Sequence, residues 1–165
     1  MLSIEDFIDR SSRPLLRSAW LLTGNWASAE DLVQTALLQS WRHWDAIRSE
    51  TPDLYVRRVL MNTFLSGQRR RWNRERPVAE LPDLPGADRV STLELRHVIW
   101  TALSGLPARQ RAVVVLRYFN DLSEAQTAEV LDCSVGTVKS QASRALAKLR
   151  SAPELQSLLE EVGHE

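Results

Sequence analysis

Apolar residues recur at helical spacing along almost the whole 165-residue chain, and one short segment interrupts the pattern. Side chains three and four positions apart line one face of a helix, so these stripes predict amphipathic helices. No segment shows the alternation of a half-buried strand. Residues 75–90 contain three prolines and a glycine without an apolar stripe, as linkers do. The sequence therefore predicts an all-α protein of two small helical domains joined by a short linker.

The domain boundaries are expected where the composition changes. Residues 1–74 should form the first domain and residues 93–152 the second. Residues 75–92 should form a flexible, acidic, proline-rich linker, and residues 153–165 an acidic C-terminal tail. Domains of about 55–75 residues lie near the lower size limit for a core that is stable by itself.

Composition excludes several classes of protein. No apolar run approaches the ~20 residues that a membrane span needs, and the first residues lack the basic and apolar regions of a secretory signal. The single cysteine, Cys133, excludes a disulfide framework and a cysteine-based zinc site. We therefore expect a cytoplasmic protein without membrane insertion.

The formal net charge of zero conceals a segmented distribution. Residues 1–74 carry +3, residues 75–95 carry −3, residues 96–150 carry +4 and residues 151–165 carry −4. Of the 21 basic residues, 19 are arginine, whose planar guanidinium suits bidentate contacts to phosphates and bases. Two basic blocks are compatible with nucleic-acid binding, while overall neutrality should weaken DNA binding by the free chain.

Local signals predict where the helices of the first domain begin and end. Gly24 is a helix stop, Ser28 is the expected N-cap of the next helix, and Pro52 starts a third helix after a Thr51 cap. The second helix carries an apolar stripe that we expect to be buried: Leu32, Val33, Ala36, Leu37, Ser40, Trp41 and Trp44.

The third helix presents a basic face with interleaved aromatic and amide groups. Its predicted outward residues are Tyr55, Arg57, Arg58, Met61, Asn62, Gln68 and Arg69. Such a face suits a single nucleic-acid strand whose bases stack or flip out. Basic residues near a helix C-terminus also favour the helix dipole, so a merely solvated helix end is an equally good interpretation of this pattern alone.

Residues 123–149 carry the most specific pattern, a helix-turn-helix. Ser123 and Gln126 form a predicted capping box, and Ser134 caps the second helix. The expected buried stripe of that helix is Val138, Ala142, Ala145, Leu146 and Leu149. The opposite face holds Thr137, Ser140, Gln141 and Arg144, with Lys139 on its flank. Small polar and basic residues at this position suit reading of the DNA major groove, although an ordinary helical hairpin is the alternative.

Four motifs together resemble the extracytoplasmic-function family (group IV, of the actinobacterial sigma-E-like type) of bacterial RNA polymerase sigma factors. They are residues 29–37 (AEDLVQTAL), 55–62 (YVRRVLMN), 106–111 (LPARQR) and 136–145 (GTVKSQASRA). The likeness covers nearly the whole chain, with a first domain like sigma region 2 and a second like region 4. Asp132 stands where the family's turn usually has glycine, and Thr127 replaces a usual aliphatic residue.

The resemblance implies roles for three groups of residues. Asp31, Gln34, Leu38 and Arg42 would contact the clamp helices of the largest polymerase subunit. Tyr55, Arg58 and Asn62 would capture the melted −10 strand, with Arg69, Arg70 and Arg71 on its phosphates. Thr137, Ser140, Gln141 and Arg144 would read the −35 duplex, with Lys139 on a phosphate. The flap of the second-largest subunit would be a further contact, and the linker would thread through the polymerase cleft.

These expectations describe a protein that is not an enzyme and needs no metal or cofactor. We also expect an anti-sigma factor as a partner, because both small domains have partly exposed apolar faces. Two alternatives stay open. One is a stand-alone helix-turn-helix regulator, and the other is a small nucleic-acid enzyme with Glu30 and Asp31 as metal ligands.

Overall fold

Every regular element in the described part of the chain is helical. The computed structural model describes residues 2–71 and 89–162. The elements are α1 (Ile4–Thr23), α2 (Trp26–Arg42), α3 (Trp44–Ile47), α4 (Pro52–Arg71), α5 (Arg89–Ser104), α6 (Ala108–Val114), a π-helical turn (Val115–Phe119), α7 (Glu124–Leu131), α8 (Val135–Arg150) and α9 (Pro153–Val162). The prediction of an all-α fold is confirmed.

The N-terminal half, residues 2–71, packs α2 between α1 and α4. Its core contains Phe7, Leu15, Leu22, Leu60 and Phe64, each at most 2% exposed. Phe7 contacts Trp44 with ring centroids 5.2 Å apart, so the short helix α3 closes one end of this core.

The C-terminal half, residues 89–162, builds the helix-turn-helix on α6. Helix α7 packs against α8, and α8 packs against α6. Val113, Val138 and Ala128 form a small apolar cluster there, against which Cys133 packs. The predicted capping box between Ser123 and Gln126 is present in both directions, which fixes where α7 begins.

Several local predictions are confirmed by backbone geometry. Gly24 ends α1 in the left-handed region at φ 65°, and Ser134 caps α8 by accepting from the Thr137 backbone N–H. Asp132 takes the left-handed conformation in the turn between α7 and α8, at φ 51°. Aspartate tolerates this region better than most residues, so the turn survives without glycine.

Three local predictions are wrong. The N-cap of α2 is Asn25, whose side chain accepts from the Ser28 N–H, so the helix begins before Ser28. Trp41 is 62% exposed, because it lies on the same side of α2 as the exposed residues Gln34 and Leu38. Met61 is fully buried, since α4 is contacted by α1, α2, α6 and α7 and has little free surface there.

The first helix of the C-terminal half begins earlier than expected. Helix α5 starts at Arg89, inside the predicted linker, and most of that linker lies outside the described residues. The predicted tail contains α9, which contacts α5 and α8. The two halves also contact each other directly, through α1 and α4 on one side and α5, α6, α7 and the π-helical turn on the other.

Candidate nucleic-acid interface

The predicted DNA-reading residues of α8 lie wholly or partly in solvent. Lys139, Ser140 and Arg144 are exposed, while Thr137 and Gln141 are half-buried. Thr137, Ser140, Gln141 and Arg144 lie at intervals of three and four residues, so the structure brings all four to one side of α8. Val138 and Ala145 on the other side are fully buried, which fixes the rotation of the helix. We call these four residues with Lys139 the α8 face.

The N-terminal turn of α8 is held by its own hydroxyl groups. Ser134 Oγ lies 2.9 Å from Thr137 Oγ1 and accepts from the Thr137 N–H at 3.0 Å. The Ser140 hydroxyl donates to the Thr137 carbonyl at 3.1 Å. Lys139 Nζ lies 3.9 Å from Glu124 Oε2, an oxygen that is shielded from solvent and makes no hydrogen bond, while the Lys139 side chain itself is 66% exposed.

The predicted −10 residues share one face of α4, but they differ in accessibility. Asn62 is exposed, whereas Tyr55 and Arg58 are half-buried. Tyr55 meets His43 edge-on, with ring centroids 6.3 Å apart. Arg58 Nη2 lies 3.3 Å from the Glu129 carbonyl oxygen and 3.8 Å from its carboxylate, so α7 already contacts this guanidinium.

The other arginines of α4 are Arg57 and the three at positions 69–71. Arg69, Arg70 and Arg71 lie in the last turn of α4, and their side chains are outside the described residues. Arg57 donates from Nη1 to Asn120 Oδ1 at 2.6 Å. Burial lowers the pKa of Arg57, and the nearby Asp53 carboxylate opposes this shift.

A third group of predicted residues forms an exposed face on α2. Asp31, Gln34, Leu38 and Arg42 are all exposed, and Leu38 keeps 53% of its surface in solvent. Trp41 lies on the same side, because positions 34, 38 and 41 are spaced by four and three residues. We call these five residues the α2 face. The sequence analysis placed Trp41 in the buried stripe of this helix. Only its observed exposure assigns it to the α2 face instead.

Neither a metal site nor a membrane span is found in the described ranges. Among residues 2–71 and 89–162, no three histidine, cysteine or acidic side chains converge as metal ligands would. Glu30 and Asp31 are exposed neighbours in the second turn of α2, which begins at Trp26. No helix in these ranges is both long and apolar enough to cross a bilayer.

Family models match both halves of the chain. The model for sigma-70 region 2 matches residues 7–74, and the model for sigma-70 region 4 matches residues 96–149. The α2 and α4 faces therefore fall in the region 2 match, and the α8 face falls in the region 4 match.

Sigma factors of other bacteria align with nearly the full length of this chain. The chain is 38% identical to the RNA polymerase sigma-E factor of Streptomyces avermitilis over 96% of this chain and 89% of that protein. It is 34% identical to the extracytoplasmic-function sigma factor SigM of Mycobacterium tuberculosis over 89% of this chain and 75% of that protein.

Solved structures show the same fold at lower identity. The sigma factor RpoE from Bartonella quintana, in complex with the anti-sigma factor NepR, superposes with a TM-score of 0.71 at 24% identity, covering 90% of this chain and 96% of that one. CnrH, in complex with the cytosolic domain of CnrY, superposes with a TM-score of 0.65 at 23% identity, covering 90% of this chain and 85% of that one. By its two region models and its relatives, the chain belongs to the sigma-70 family of bacterial RNA polymerase sigma factors, in the extracytoplasmic-function group.

Proposed function

We propose that this protein is an alternative sigma factor that binds core RNA polymerase and directs initiation at its own set of promoters. The α8 face carries this proposal, because it leaves a row of polar and basic side chains in solvent within a helix-turn-helix. Gln141 is suited to bidentate contact with an adenine edge, and Arg144 with a guanine edge. Lys139 would neutralise a neighbouring phosphate once its ion pair with Glu124 opens.

Region 2 would supply the second DNA contact. Asn62 is exposed on α4 and is the residue we assign to the flipped-out −10 base, with Tyr55 and Arg58 beside it. The arginines at positions 69–71 would hold the adjacent phosphates. Melting would then be driven by binding of the unpaired strand, since a flipped base gains contacts that a stacked base lacks.

Polymerase would join the two weak DNA sites into one recognition unit. The α2 face would contact the clamp helices of the largest subunit, and region 4 would contact the flap of the second-largest subunit. Holding both regions at promoter spacing raises the effective concentration of each site for the other. A near-neutral free chain would therefore depend on polymerase for tight promoter binding.

We infer a non-catalytic cytoplasmic regulator. Transcription by polymerase needs no chemistry from the sigma factor, and Glu30 with Asp31 has no third ligand nearby among the described residues. The RpoE structure described above is a complex with an anti-sigma factor, so we infer such a partner for this chain as well.

The test is promoter-dependent transcription with purified core polymerase. Transcripts that start after overexpression are sequenced to find the promoters, and one of these is used as a run-off template. Gln141→Ala should lower run-off initiation by about 5- to 150-fold at the native −35 element, because losing a bidentate base contact costs ~1–3 kcal/mol.

Gln156→Ala is the matched control, since it is the same substitution at an exposed glutamine on α9, outside the α8 face. It should leave initiation unchanged. A stand-alone regulator would bind its operator without polymerase and yield no run-off product. Absence of promoter-dependent initiation with active core polymerase refutes the sigma function.

A further inference from the structure

One residue, His43, joins α2 to α3, and both helices use its backbone. Its N–H donates to the Gln39 carbonyl oxygen at 3.2 Å, as in the last turn of α2. Its own carbonyl oxygen accepts from the Ala46 N–H at 3.0 Å and from the Ile47 N–H at 3.1 Å, in the first turn of α3. The backbone of His43 is therefore fixed from both sides, although the residue is exposed.

The core of the N-terminal half holds α3 in place. Trp44 and Ile47, the first and last residues of this short helix, are both buried. The Trp44 ring also packs against Phe7 of α1, with ring centroids 5.2 Å apart. Because both ends of α3 are anchored, the residue that precedes it has little freedom to shift.

The imidazole of His43 contacts the side chain of Tyr55 on α4. The two ring centroids lie 6.3 Å apart and the ring planes are inclined at 64°, which is an edge-to-face arrangement. Aromatic rings attract each other in this geometry, because the positive edge of one ring meets the negative face of the other. Tyr55 is half-buried. The imidazole therefore restrains the Tyr55 ring without removing it from solvent.

Tyr55 is the first of the three residues that we assign to the −10 strand. Arg58 and Asn62 follow it at intervals of three and four positions, so the three side chains lie on one side of α4. His43 contacts this row at Tyr55 from outside α4. A side chain that is already held in one orientation loses less conformational freedom when a ligand binds it, so restraint of the Tyr55 ring favours stacking of a base on it.

We propose that His43 is a positioning residue for capture of the melted −10 strand, which holds the Tyr55 ring in the orientation on which an unpaired base stacks. This inference rests on the proposed function of α4. It adds a residue from the junction of α2 and α3, directly after Arg42 of the α2 face. The helix that we assign to polymerase binding therefore ends next to the residue that orients a DNA-binding side chain.

The test measures strand affinity in purified holoenzyme, assembled from core polymerase and the full chain, so that changes in polymerase affinity do not alter the DNA signal. The probe is a labelled 12-nucleotide single strand that carries the −10 element of a promoter mapped by transcript sequencing, and fluorescence anisotropy gives its Kd. His43→Ala should raise this Kd roughly three- to tenfold, which is the size of effect expected for one aromatic pair. His43→Phe keeps an aromatic ring at this position and should restore the wild-type Kd to within about twofold.

A matched control and a double-mutant cycle separate positioning from a general structural effect. His97→Ala is the control, because it is the same substitution at an exposed histidine on α5, and it should leave the Kd unchanged. Once Tyr55 is replaced by alanine, His43→Ala should cause no further loss of affinity, since the two side chains act through one contact. His43 is exposed, so removing its side chain leaves the core intact.

The outcomes distinguish the role of His43 from the proposed function. A Kd that is unchanged by His43→Ala, while Tyr55→Ala weakens binding, overturns the positioning role and leaves the proposed function standing. An equal loss from His43→Ala with and without Tyr55 also overturns it, because the histidine would then act independently of the tyrosine. If Tyr55→Ala itself leaves the Kd unchanged, or if no promoter is found, the proposed role of α4 fails and this inference fails with it.

Discussion

Replacing Trp41 with alanine should weaken polymerase binding while leaving the fold intact. Trp41 keeps 62% of its surface in solvent at the end of α2. A tryptophan side chain can bury up to about 250 Å², so roughly 150 Å² remains to be covered by a partner. At about 25 cal/mol per Å², this area corresponds to an upper limit of ~4 kcal/mol.

The expected loss is smaller than that limit, because a partner rarely covers an anchor completely. We expect Trp41→Ala to cost ~2–3 kcal/mol of polymerase affinity, which is about 30- to 150-fold in Kd. Leu38→Ala, with a smaller side chain that is 53% exposed, should cost ~1 kcal/mol. The assay is equilibrium binding of the labelled protein to core polymerase without DNA, with thermal melting followed by circular dichroism on the same samples.

Asp9→Ala is the control, because Asp9 is exposed on α1 and belongs to none of the three faces. It should bind as the wild type does. If Trp41→Ala retained affinity within twofold while its melting temperature was unchanged, α2 would not be the polymerase-binding helix and the assignment of its exposed face would be wrong.

Three substitutions test the packing that positions these faces. Thr127→Val should stabilise the protein by about 1 kcal/mol in urea unfolding, because the buried Thr127 hydroxyl has no partner and valine has its shape; a loss of stability would contradict this. Ser123→Ala should lower stability by about 1 kcal/mol in the same assay by removing the cap of α7, and an unchanged midpoint would refute that cap. Gly24→Ala should cost at least about 2 kcal/mol, since it combines a left-handed backbone with overlap on Trp100. Gly67→Ala is its control, as a Cβ there meets open space and should be neutral or stabilising.

Sequence reasoning succeeded where the determining chemistry is local. The stop at Gly24 and the capping box of Ser123 with Gln126 depend on groups within a few residues of each other, so the chain carries their full signal. The α8 face was also predictable, because helical spacing separates Val138 and Ala145 from the polar side.

Contacts between distant segments could not be predicted in this way. Asn120 and Arg57 are 63 positions apart, and nothing near either residue indicates the other. The π-helical turn, whose C-cap Asn120 contacts Arg57 and Ser18, has no recognisable signature in the sequence of those five residues. Trp41 shares the exposed side of α2 with Leu38, whereas Trp44 begins the separate helix α3 and packs against Phe7. Apolar periodicity alone does not locate the break between these two helices.

The indoles of Trp20 on α1, Trp26 on α2 and Trp100 on α5 give the molecule a built-in optical reporter. They form one aromatic group, with successive ring centroids 6.2 Å apart, and the ring N–H groups of Trp20 and Trp26 are shielded from water. An indole transferred from such a site to water emits at longer wavelength, whereas Trp41 is already exposed. Loosening of the contact between α1 and α5 can thus be followed in real time by the natural emission of the unlabelled protein.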